Sequence, residues 1–390
     1  MKVHHVVPRI HEEASGPSYS VPALCNALSQ TGVETHLHVL QQVPERPFSC
    51  TIHSYPHELP PKRLGISPAM RLQLMTEAAT SDIIHNHSLW MMPNIYAAQA
   101  ASAHSCRLVL SPRGTLQPWS LRRHRWRKRC IWLLGQRKTV QEAALIHATA
   151  ENELYAIRAL GLKTPVAVVP NGIEIPEERP LPSSDRRKRV LFFGRIHPVK
   201  GVDMLINVWP RIQSRFPDWE LHITGPDTNG QTEKMQNLAA AVAAQRIVFS
   251  GVKYGREKSD TFRRAALYVL PSHTENFGLT VAESLAHGVP VITTTGTPWA
   301  RLEEEACGWW VERTADTLES VLVQAMSLSD GQRKLMGQRG RQWMRREFSW
   351  STIAEKMRGS YSWLLGGGNT PNWIDTVSTR RVSTNNRKAA

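Results

Sequence analysis

The chain has 390 residues, which exceeds the size at which one hydrophobic core keeps growing and therefore predicts two domains. Hydrophobic residues make up 41% and charged residues 21%, a balance that excludes a fibrous or globally disordered chain. Lys and Arg number 48 against 33 Asp and Glu, and the resulting net charge of +15 favours anionic partners: nucleic acid, anionic lipid or phosphorylated substrates.

Targeting signals and cysteine usage indicate where the protein works. No window of about 18 apolar residues occurs, so no transmembrane helix is expected. The first ten residues lack the long apolar stretch of a signal peptide. The five cysteines are scattered and without CxxC spacing, which argues against a disulfide framework and a zinc site. We therefore expect a cytoplasmic protein whose contact with a membrane is peripheral.

Short apolar segments alternate with longer segments of helical period, a pattern typical of βα units and a parallel sheet. In the first half, strands are predicted at VHHVV, VETHLHVL, DIIH, CRLVLS, ALIHAT and VAVVP, and helices at 17–31, 93–104, 121–138 and 150–160. The second half repeats the plan, with strands at RVLFFG, WELHIT, RIVFSG, LYVLPS and VPVITT and helices at 199–214 and 278–287.

These two series predict an α/β protein of two Rossmann-like, doubly wound domains. A linker rich in Pro, Ser and charge is predicted at 176–188, between an N-terminal domain at 1–178 and a C-terminal domain at 179–347. A helix at 348–365 is expected to pack back on the N-terminal domain. The tail at 366–390 is rich in Gly, Ser, Thr and Asn and is expected to be disordered.

The strongest motif is PSHTENFGLTVAESLAHGVP at 271–290, in which a strand end leads through a loop into a helix. Glu275 and Glu283 are placed at the carboxyl edge of the strand and in the second turn of the helix, where doubly wound sheets bind ligands. The backbone N–H groups of 277–279 open the helix and suit a diphosphate. For either glutamate alone, an acid stabilised by the helix dipole or exposed on the surface is the alternative.

A second motif, FFGRIHPVKG, places Arg195 and Lys200 in a strand-to-helix turn. Two cations there can hold two phosphates and stabilise the charge that builds up on a departing nucleoside diphosphate. A solvated basic turn is the alternative. Near the N-terminus, Ser15–Gly16–Pro17 is a small-residue loop in which the backbone could approach a phosphate closely. Asn171–Gly172 in VVPNGIE reads, on its own, as a tight turn.

Taken together, GP near the N-terminus, PNGIE in mid-chain, GR....KG after the linker and E-x7-E enclosing FG resemble retaining glycosyltransferase family 4, over about residues 2–360. The resemblance implies a GT-B fold, with two Rossmann-like domains facing each other across a cleft. It also implies that a hexose-type sugar moves, with retained configuration, from a nucleotide-diphosphate donor in the C-terminal domain to an acceptor in the N-terminal domain. Neither a metal nor another cofactor is expected.

The resemblance assigns roles to individual residues. Arg195 and Lys200 would pair with the donor diphosphate, Glu275 would hold hydroxyls of the transferred sugar, and Glu283 would accept hydrogen bonds from the ribose. Of these, Glu275, Lys200 and Arg195 are expected to be catalytic. The remaining expected donor contacts are Gly16, Val252, Asn276, Phe277, Gly278 and Leu279.

One segment departs from the family pattern, because SPRGTLQPW has Arg113 where many members have a His in a PHG-like motif. Arg113 could contact the sugar or a phosphate, or could be a structural Arg at a strand end. SPRGTLxPWS and HNHSLWMMPN look like the branch that builds bacterial surface polysaccharides such as lipopolysaccharide, O-antigen and exopolysaccharide, which implies a lipid-linked saccharide acceptor. His85 and His87 could orient acceptor hydroxyls or could serve only packing.

The segment LRRHRWRKRCIWLLGQRK at 121–138 carries eight Lys and Arg with Trp126, Trp132 and Leu133 between them. It could lie on the anionic inner face of the plasma membrane, or it could be a solvated basic helix that packs on its own sheet. Two other functions remain open: a nucleotide-sugar epimerase on the same scaffold, and a basic nucleic-acid-binding protein. The latter is disfavoured because no RNP, KH, zinc or helix-turn-helix signature is present.

Overall fold

The computed structural model describes residues 1–10, 16–40, 43, 48–56, 58–122, 125–177 and 188–376. Their backbone forms two compact units. The first unit comprises Met1–Gly172 together with the chain from Trp350 onward, and the second comprises Ile173–Ser349.

Each unit contains one sheet, and all eleven predicted apolar segments form strands. In the first unit they are β1 (Lys2–Val6), β2 (Glu34–Val39), β3 (Thr51–Ser54), β4 (Ile83–His87), β5 (Arg107–Ser111), β6 (Leu145–Ala148) and β7 (Val166–Val168). In the second they are β8 (Lys188–Phe193), β9 (Trp219–Thr224), β10 (Ile247–Ser250), β11 (Leu267–Leu270), β12 (Val291–Thr294) and β13 (Gly308–Val311), after which β14 (Ile374–Asp375) rejoins the first sheet. Of these, β3, β13 and β14 are strands that the sequence did not predict.

Helices connect the strands. The first unit has α1 (Pro17–Ser29), α2 (Pro68–Ala78), α3 (Met92–Ala103), α4 (Pro118–Arg122), α5 (Arg125–Ile131), α6 (Arg137–Gln141) and α7 (Glu151–Ala159). The second has α8 (Val202–Ile212), α9 (Gln231–Ala241), α10 (Gly255–Arg263), α11 (Leu279–Ala286), α12 (Ala315–Ser327) and α13 (Asp330–Trp343), and α14 (Trp350–Leu364) returns to the first. None of these described helices is both long enough and apolar enough to cross a membrane.

The strand order confirms the predicted doubly wound plan. It is β14-β7-β6-β5-β4-β1-β2-β3 in the first sheet and β10-β9-β8-β11-β12-β13 in the second. All neighbouring pairs are parallel except β14 with β7. In each sheet the order reverses beside the first strand, at β1/β4 and at β8/β11, so the carboxyl ends of these pairs form the crevices where such sheets bind ligands.

The strands are rich in Val, Ile, Leu and Phe because helices cover both faces of each sheet. In the second unit Phe192, Trp209 and Tyr268 are completely buried in one continuous core. In the first unit Val3 and Tyr361 join a core beneath α1 and α14. These cores fix where the strand ends lie and therefore where the functional loops begin.

Three sequence predictions differ from the structure: the helix at 121–138, the domain boundary and the tail. The described part of segment 121–138 is not one regular helix, because a π-helical turn at Trp132–Gln136, in which Gly135 has a φ of 147°, lies between α5 and α6. The units meet at Gly172 and Ile173 instead of at 178. The predicted linker lies largely outside the described residues.

The tail is the clearest correction, because 366–376 was predicted to be disordered and is ordered. Ile374 is buried and β14 pairs with β7, while the side chain of Arg158 binds Asp375 at 2.8 Å. Trp373 packs against the core and donates from Nε1 to Ser360 Oγ at 3.0 Å, and the edge of the sheet supplies backbone partners. The rest of the predicted tail, 377–390, lies outside the described residues.

Histidines occupy the middle of the first sheet on both faces. One group is in contact with Tyr55 and with Glu77 of α2, and the other is in contact with Tyr361 of α14. The first group consists of His4, His36, His38 and His53, and the second of His5, His85, His87 and His147. Burial lowers the pKa of His4, His5 and His147 to about 3.

We predict that the first unit is destabilised by mild acid. The buried histidines stay neutral in the folded protein, whereas those of the unfolded chain take up protons below their usual pKa of about 6.5. The free energy of unfolding is therefore highest above pH 6.5 and falls as the pH drops toward 3. Each of the three would cost about 2 kcal/mol at pH 5, or about 6 kcal/mol together. Urea unfolding followed by circular dichroism at pH 7.5, 6.5 and 5 measures this.

His104→Gln is the matched control, because that half-buried residue ends α3 outside both histidine groups, and it should keep the wild-type pH dependence. An unfolding free energy that is level between pH 7.5 and 5 would contradict the prediction.

Candidate functional site

The loops after β8 and β11 meet at the crevice of the second sheet. A 3-10 turn at Pro198–Lys200 follows β8 and ends at Gly201, and the backbone N–H of His273 donates to Val199 O at 2.8 Å. Gly201 has a φ of 71°, and a Cβ there would lie 2.1 Å from Pro271 O. Only glycine therefore lets the two loops approach this closely.

This approach brings two predicted catalytic residues together. Lys200 Nζ lies 2.5 Å from Glu275 Oε1, and Ser272 Oγ donates to the same oxygen at 2.7 Å. The backbone N–H of Glu275 donates to Gly296 O at 2.8 Å, which fixes the loop. Both side chains of the ion pair are largely shielded from solvent, with 16% and 11% exposed. A cation suited to phosphate thus adjoins a carboxylate suited to hydroxyl groups.

A second ion pair lies at the predicted ribose-binding residue. Glu283 is in the second turn of α11, as predicted, and its Oε1 is 2.5 Å from Lys258 Nζ of α10. Its Oε2 is buried and accepts no hydrogen bond from any residue that the structure describes. A buried carboxylate oxygen in this state can accept a hydrogen bond from a ligand hydroxyl. Sequence reasoning missed Lys258 because its partner is 25 residues away.

The start of α11 has the geometry expected of an anion site. Gly278 precedes the helix with φ 80° and ψ 59°, and no side chain caps the helix. Trp299 Nε1 donates to Phe277 O at 2.6 Å and holds the loop. The Phe277 ring is buried against Trp299, so only its backbone is open to a ligand. Leu279, the first helical residue, is half-buried.

Three other predicted donor residues belong to the same unit. Arg195 follows β8 with an exposed side chain that has no hydrogen bond or ion pair to the described residues. Val252 follows β10 and is 37% exposed, and Asn276 is half-buried beside Glu275. Their roles in donor binding remain predictions.

In the first unit the predicted residues surround the end of β5. Arg113 has a left-handed φ of 56°, and its Nη1 donates to Asn171 Oδ1 at 2.5 Å and to Ser20 Oγ at 3.3 Å, while Nη2 lies 3.3 Å from His87 Nδ1. Burial lowers the pKa of Arg113 only to about 10, so the side chain is cationic at neutral pH. Asn171, which the sequence presented as a turn residue, is therefore a partner of Arg113.

Gly16 is the N-terminal cap of α1, and its carbonyl accepts hydrogen bonds from Tyr19 N and Ser20 N. Its φ of −45° is helical, so its conformation does not require glycine. Ser15 of the predicted phosphate loop lies outside the described residues. The donor-side role of Gly16 stays a prediction.

His85 and His87 are completely buried, and their hydrogen bonds are made inside the unit. His147 Nε2 donates to Val169 O at 2.8 Å, so its Nδ1 accepts from His85 Nε2 at 3.4 Å. His85 Nδ1 then accepts from the Tyr361 hydroxyl at 2.7 Å. Burial lowers the pKa of His85 and His87 well below its usual value, so both rings are neutral. This geometry favours the packing alternative, while the acceptor-side role remains a prediction.

Three of these rings could be arranged around a metal. Ligand nitrogens of His5, His85 and His87 lie within 4.8 Å of one another. The guanidinium of Arg113 is adjacent, however, and a second cation beside it would be repelled at short range in a poorly solvated site. The charge of the site thus favours an anion over a metal ion. The expectation that the protein needs no metal stays a prediction.

The basic segment presents large apolar side chains to solvent. Trp126, Leu133 and Leu134 are 80%, 75% and 72% exposed, and Trp119 is also exposed. Trp132, expected among the outward-facing aromatics, is instead half-buried with its ring 6.2 Å from that of Trp90. Exposed Arg122, Arg127 and Arg129 accompany the exposed apolar residues.

Two known families match the chain. Residues 15–172 match the Glycosyl transferase 4-like domain, and residues 175–343 match Glycosyl transferases group 1. The D-inositol 3-phosphate glycosyltransferase of Thermobispora bispora is 26% identical over 318 residues, which cover 72% of this chain and 73% of that relative.

Solved structures show the same fold. HepE of Anabaena in complex with UDP and glucose matches with a TM-score of 0.73 and 15% identity over 93% of this chain and 100% of that chain. WaaG, a glycosyltransferase involved in lipopolysaccharide biosynthesis, matches with a TM-score of 0.70 and 14% identity over 94% and 100%. The predicted fold of two Rossmann-like domains with parallel sheets is thereby confirmed.

We predict that Gly201→Ala destabilises the second unit by about 3 kcal/mol or more, because left-handed strain adds to a collision with Pro271 O. Gly230→Ala is a matched control: its φ is also 71°, but nothing lies within 4 Å of its Cβ position. It should cost only about 1–2 kcal/mol of strain. Urea unfolding gives the free energy of unfolding of both variants. If both lose the same amount, the close contact between the two loops at Gly201 is not what requires glycine there.

Proposed function

We propose that this chain, which combines a glycosyl transferase 4-like domain with a group 1 domain in a GT-B fold, is a glycosyltransferase that moves a hexose-type sugar from a nucleotide-sugar donor, with retention and without a metal. We further propose a lipid-linked saccharide as acceptor, in the assembly of bacterial surface polysaccharide. The observation that carries the proposal is the contact of Lys200 with Glu275 at the crevice of the second sheet.

Metal independence is supported by the cations near this contact. As the bond between the sugar and the diphosphate breaks, negative charge grows on the leaving phosphate, and a preorganised ammonium stabilises it more than it stabilises the bound donor. Lys200 is held in place by its bond to Glu275, and exposed Arg195 is available from the same turn. These two charges would do the work that a divalent cation does in other transferases.

Retention is supported by the state of Glu275. Its Oε1 already accepts from Lys200 and Ser272, an arrangement suited to holding sugar hydroxyls and not to a free nucleophile. In a front-face displacement the acceptor oxygen attacks on the side from which the diphosphate leaves. The departing phosphate oxygen takes the acceptor proton, so no nucleophilic carboxylate is needed.

The acceptor class is supported by the basic segment and by one structural relative. A lipid-linked acceptor lies at a membrane surface, and exposed Trp and Leu beside exposed Arg are what an interfacial, anionic-lipid-binding surface requires. WaaG acts in lipopolysaccharide biosynthesis. We therefore propose peripheral association with the inner face of the plasma membrane.

We predict that Lys200→Ala and Glu275→Ala each lower turnover roughly 10²- to 10³-fold, because each removes a charged group aimed at the reacting centre. A panel of UDP-, GDP-, ADP- and dTDP-sugars with membrane lipid extract identifies the donor, and release of the nucleoside diphosphate measures the rate. Lys234→Ala, an exposed lysine on α9, is the matched control and should retain full activity. Wild-type turnover in either site variant would refute the assignment, and epimerised nucleotide sugar formed without acceptor would favour an epimerase.

We also predict that Trp126→Ala and Leu133→Ala each weaken binding to phosphatidylglycerol-containing vesicles about 10- to 100-fold, because burying each of these apolar side chains contributes roughly 1.5–3 kcal/mol. Sedimentation with vesicles at low and high salt measures the affinity, and high salt should weaken vesicle binding by the wild-type protein. Leu72→Ala, which removes a leucine that is 71% exposed on α2, should have no effect. Equal losses at Leu72, or tighter binding to oligonucleotides than to vesicles, would count against a membrane surface.

A further inference from the structure

Arg113 is held in a conformation that carries strain. Its φ of 56° is one of three left-handed values at non-glycine residues just beyond β4 and β5, with Ser88 at 73° and Trp90 at 80°. Such conformations cost roughly 1–3 kcal/mol each and concentrate at ligand sites. They lie beside β1/β4, where the order of the first sheet reverses.

The donors of the Arg113 side chain are only partly used. A guanidinium has five N–H groups. Nη1 donates to Ser20 and Asn171, and Nη2 donates to His87. Nε is buried and has no hydrogen-bond partner among the described residues. In a guanidinium, Nε–H and one Nη2–H form a single edge, which can match two oxygens of one phosphate or carboxylate.

The partners of Arg113 are all neutral. Ser20 and Asn171 are buried, and no ion pair among the described residues includes Arg113. His87 Nδ1 accepts from Arg113, so His87 Nε2 donates onward to His5 Nδ1 at 2.9 Å. The neutral imidazoles therefore position the guanidinium without forming an ion pair with it. Against the lowering by burial, the buried carboxylate of Glu153, which lies beyond ion-pair distance, raises the pKa of Arg113. Ser20 also lies one turn into α1, whose positive end favours an anion.

We propose that Arg113 is an anion-binding residue of the first unit, which holds a phosphate or carboxylate of a substrate through Nε and Nη2. Ser20, Asn171 and His87 are its positioning residues. The identity of that substrate rests on the proposed function, and two sources share this chemistry: the diphosphate of the donor, and an acidic group of the acceptor. The anion site itself does not depend on turnover.

The test uses the full chain carrying Lys200→Ala, which weakens the anion site of the second unit. Inorganic pyrophosphate is titrated by calorimetry. Adding Arg113→Gln should weaken binding about 10- to 100-fold, the effect of a lost charged hydrogen bond. Arg113→Lys keeps the charge but loses the paired donors, so its pyrophosphate affinity should lie between that of the Lys200→Ala parent and that of the Arg113→Gln variant. Pyrophosphate affinity that is unchanged in both Arg113 variants, with circular dichroism as in the parent, would overturn the proposal.

Arg63→Gln is the matched control, because it removes one exposed positive charge from the same unit and should leave pyrophosphate binding unchanged. If Arg63→Gln weakens pyrophosphate binding as much as Arg113→Gln does, the effect comes from net charge alone, and the proposal is overturned.

UDP separates the two sources. If the donor diphosphate is the ligand, Arg113→Gln alone weakens UDP binding and UDP displaces pyrophosphate. If the acceptor supplies the anion, UDP affinity is unchanged and pyrophosphate still binds at saturating UDP. Either result supports the proposal. Pyrophosphate binding is measured without any transfer reaction. If Arg113→Gln weakens pyrophosphate binding but the wild-type protein shows no transferase activity, the proposed function is refuted and the anion site is not.

Discussion

The candidate site of the second unit depends on the close approach of two strand-end loops, because this approach puts Lys200 against Glu275. Removing two charges from water costs more free energy than their attraction returns unless further hydrogen bonds complete the site. Ser272 provides one such bond. The approach also requires missing side chains, since a Cβ at Gly201 would meet Pro271 O and a Cβ at Gly296 would lie 2.3 Å from His273 O.

The same reasoning extends to Lys258 and Glu283. Both ion pairs hold a carboxylate in place before any ligand arrives, and Glu283 Oε2 remains as an acceptor. Two preorganised carboxylates, each steadied by a lysine, reduce the reorganisation needed when hydroxyl groups and a diphosphate enter the crevice. A donor phosphate would then share the ammonium of Lys200 with Glu275, so binding redistributes charge that is already fixed in place.

Local patterns in the sequence predicted most of the fold and the places in it of the candidate residues of the second unit. Strand β9 coincides with WELHIT, and Glu283 lies in the predicted helical turn, because periodicity and E-x7-E are short-range signals. The missed features join distant residues. Arg113 with Asn171 spans 58 positions, and Arg158 with Asp375 spans 217. No local pattern carries such pairings, which explains why Asn171 was interpreted as a turn residue and β14 as part of a disordered tail.

The two units hold their cations in opposite ways. Lys200 and Lys258 face carboxylates, which reduce the net charge of each pair, whereas Arg113 is held by an amide, a hydroxyl and an imidazole. These hydrogen-bond partners add no positive charge beside Arg113 only while the imidazoles remain unprotonated. Against the larger lowering by burial, the nearby carboxylate of Glu153 raises the pKa of Arg113 and favours the charged guanidinium. Burial keeps the imidazoles unprotonated by lowering the pKa of His5 to about 3 and that of His87 well below its usual value. The burial that makes the first unit sensitive to acid is therefore also what keeps Arg113 ready for an anion.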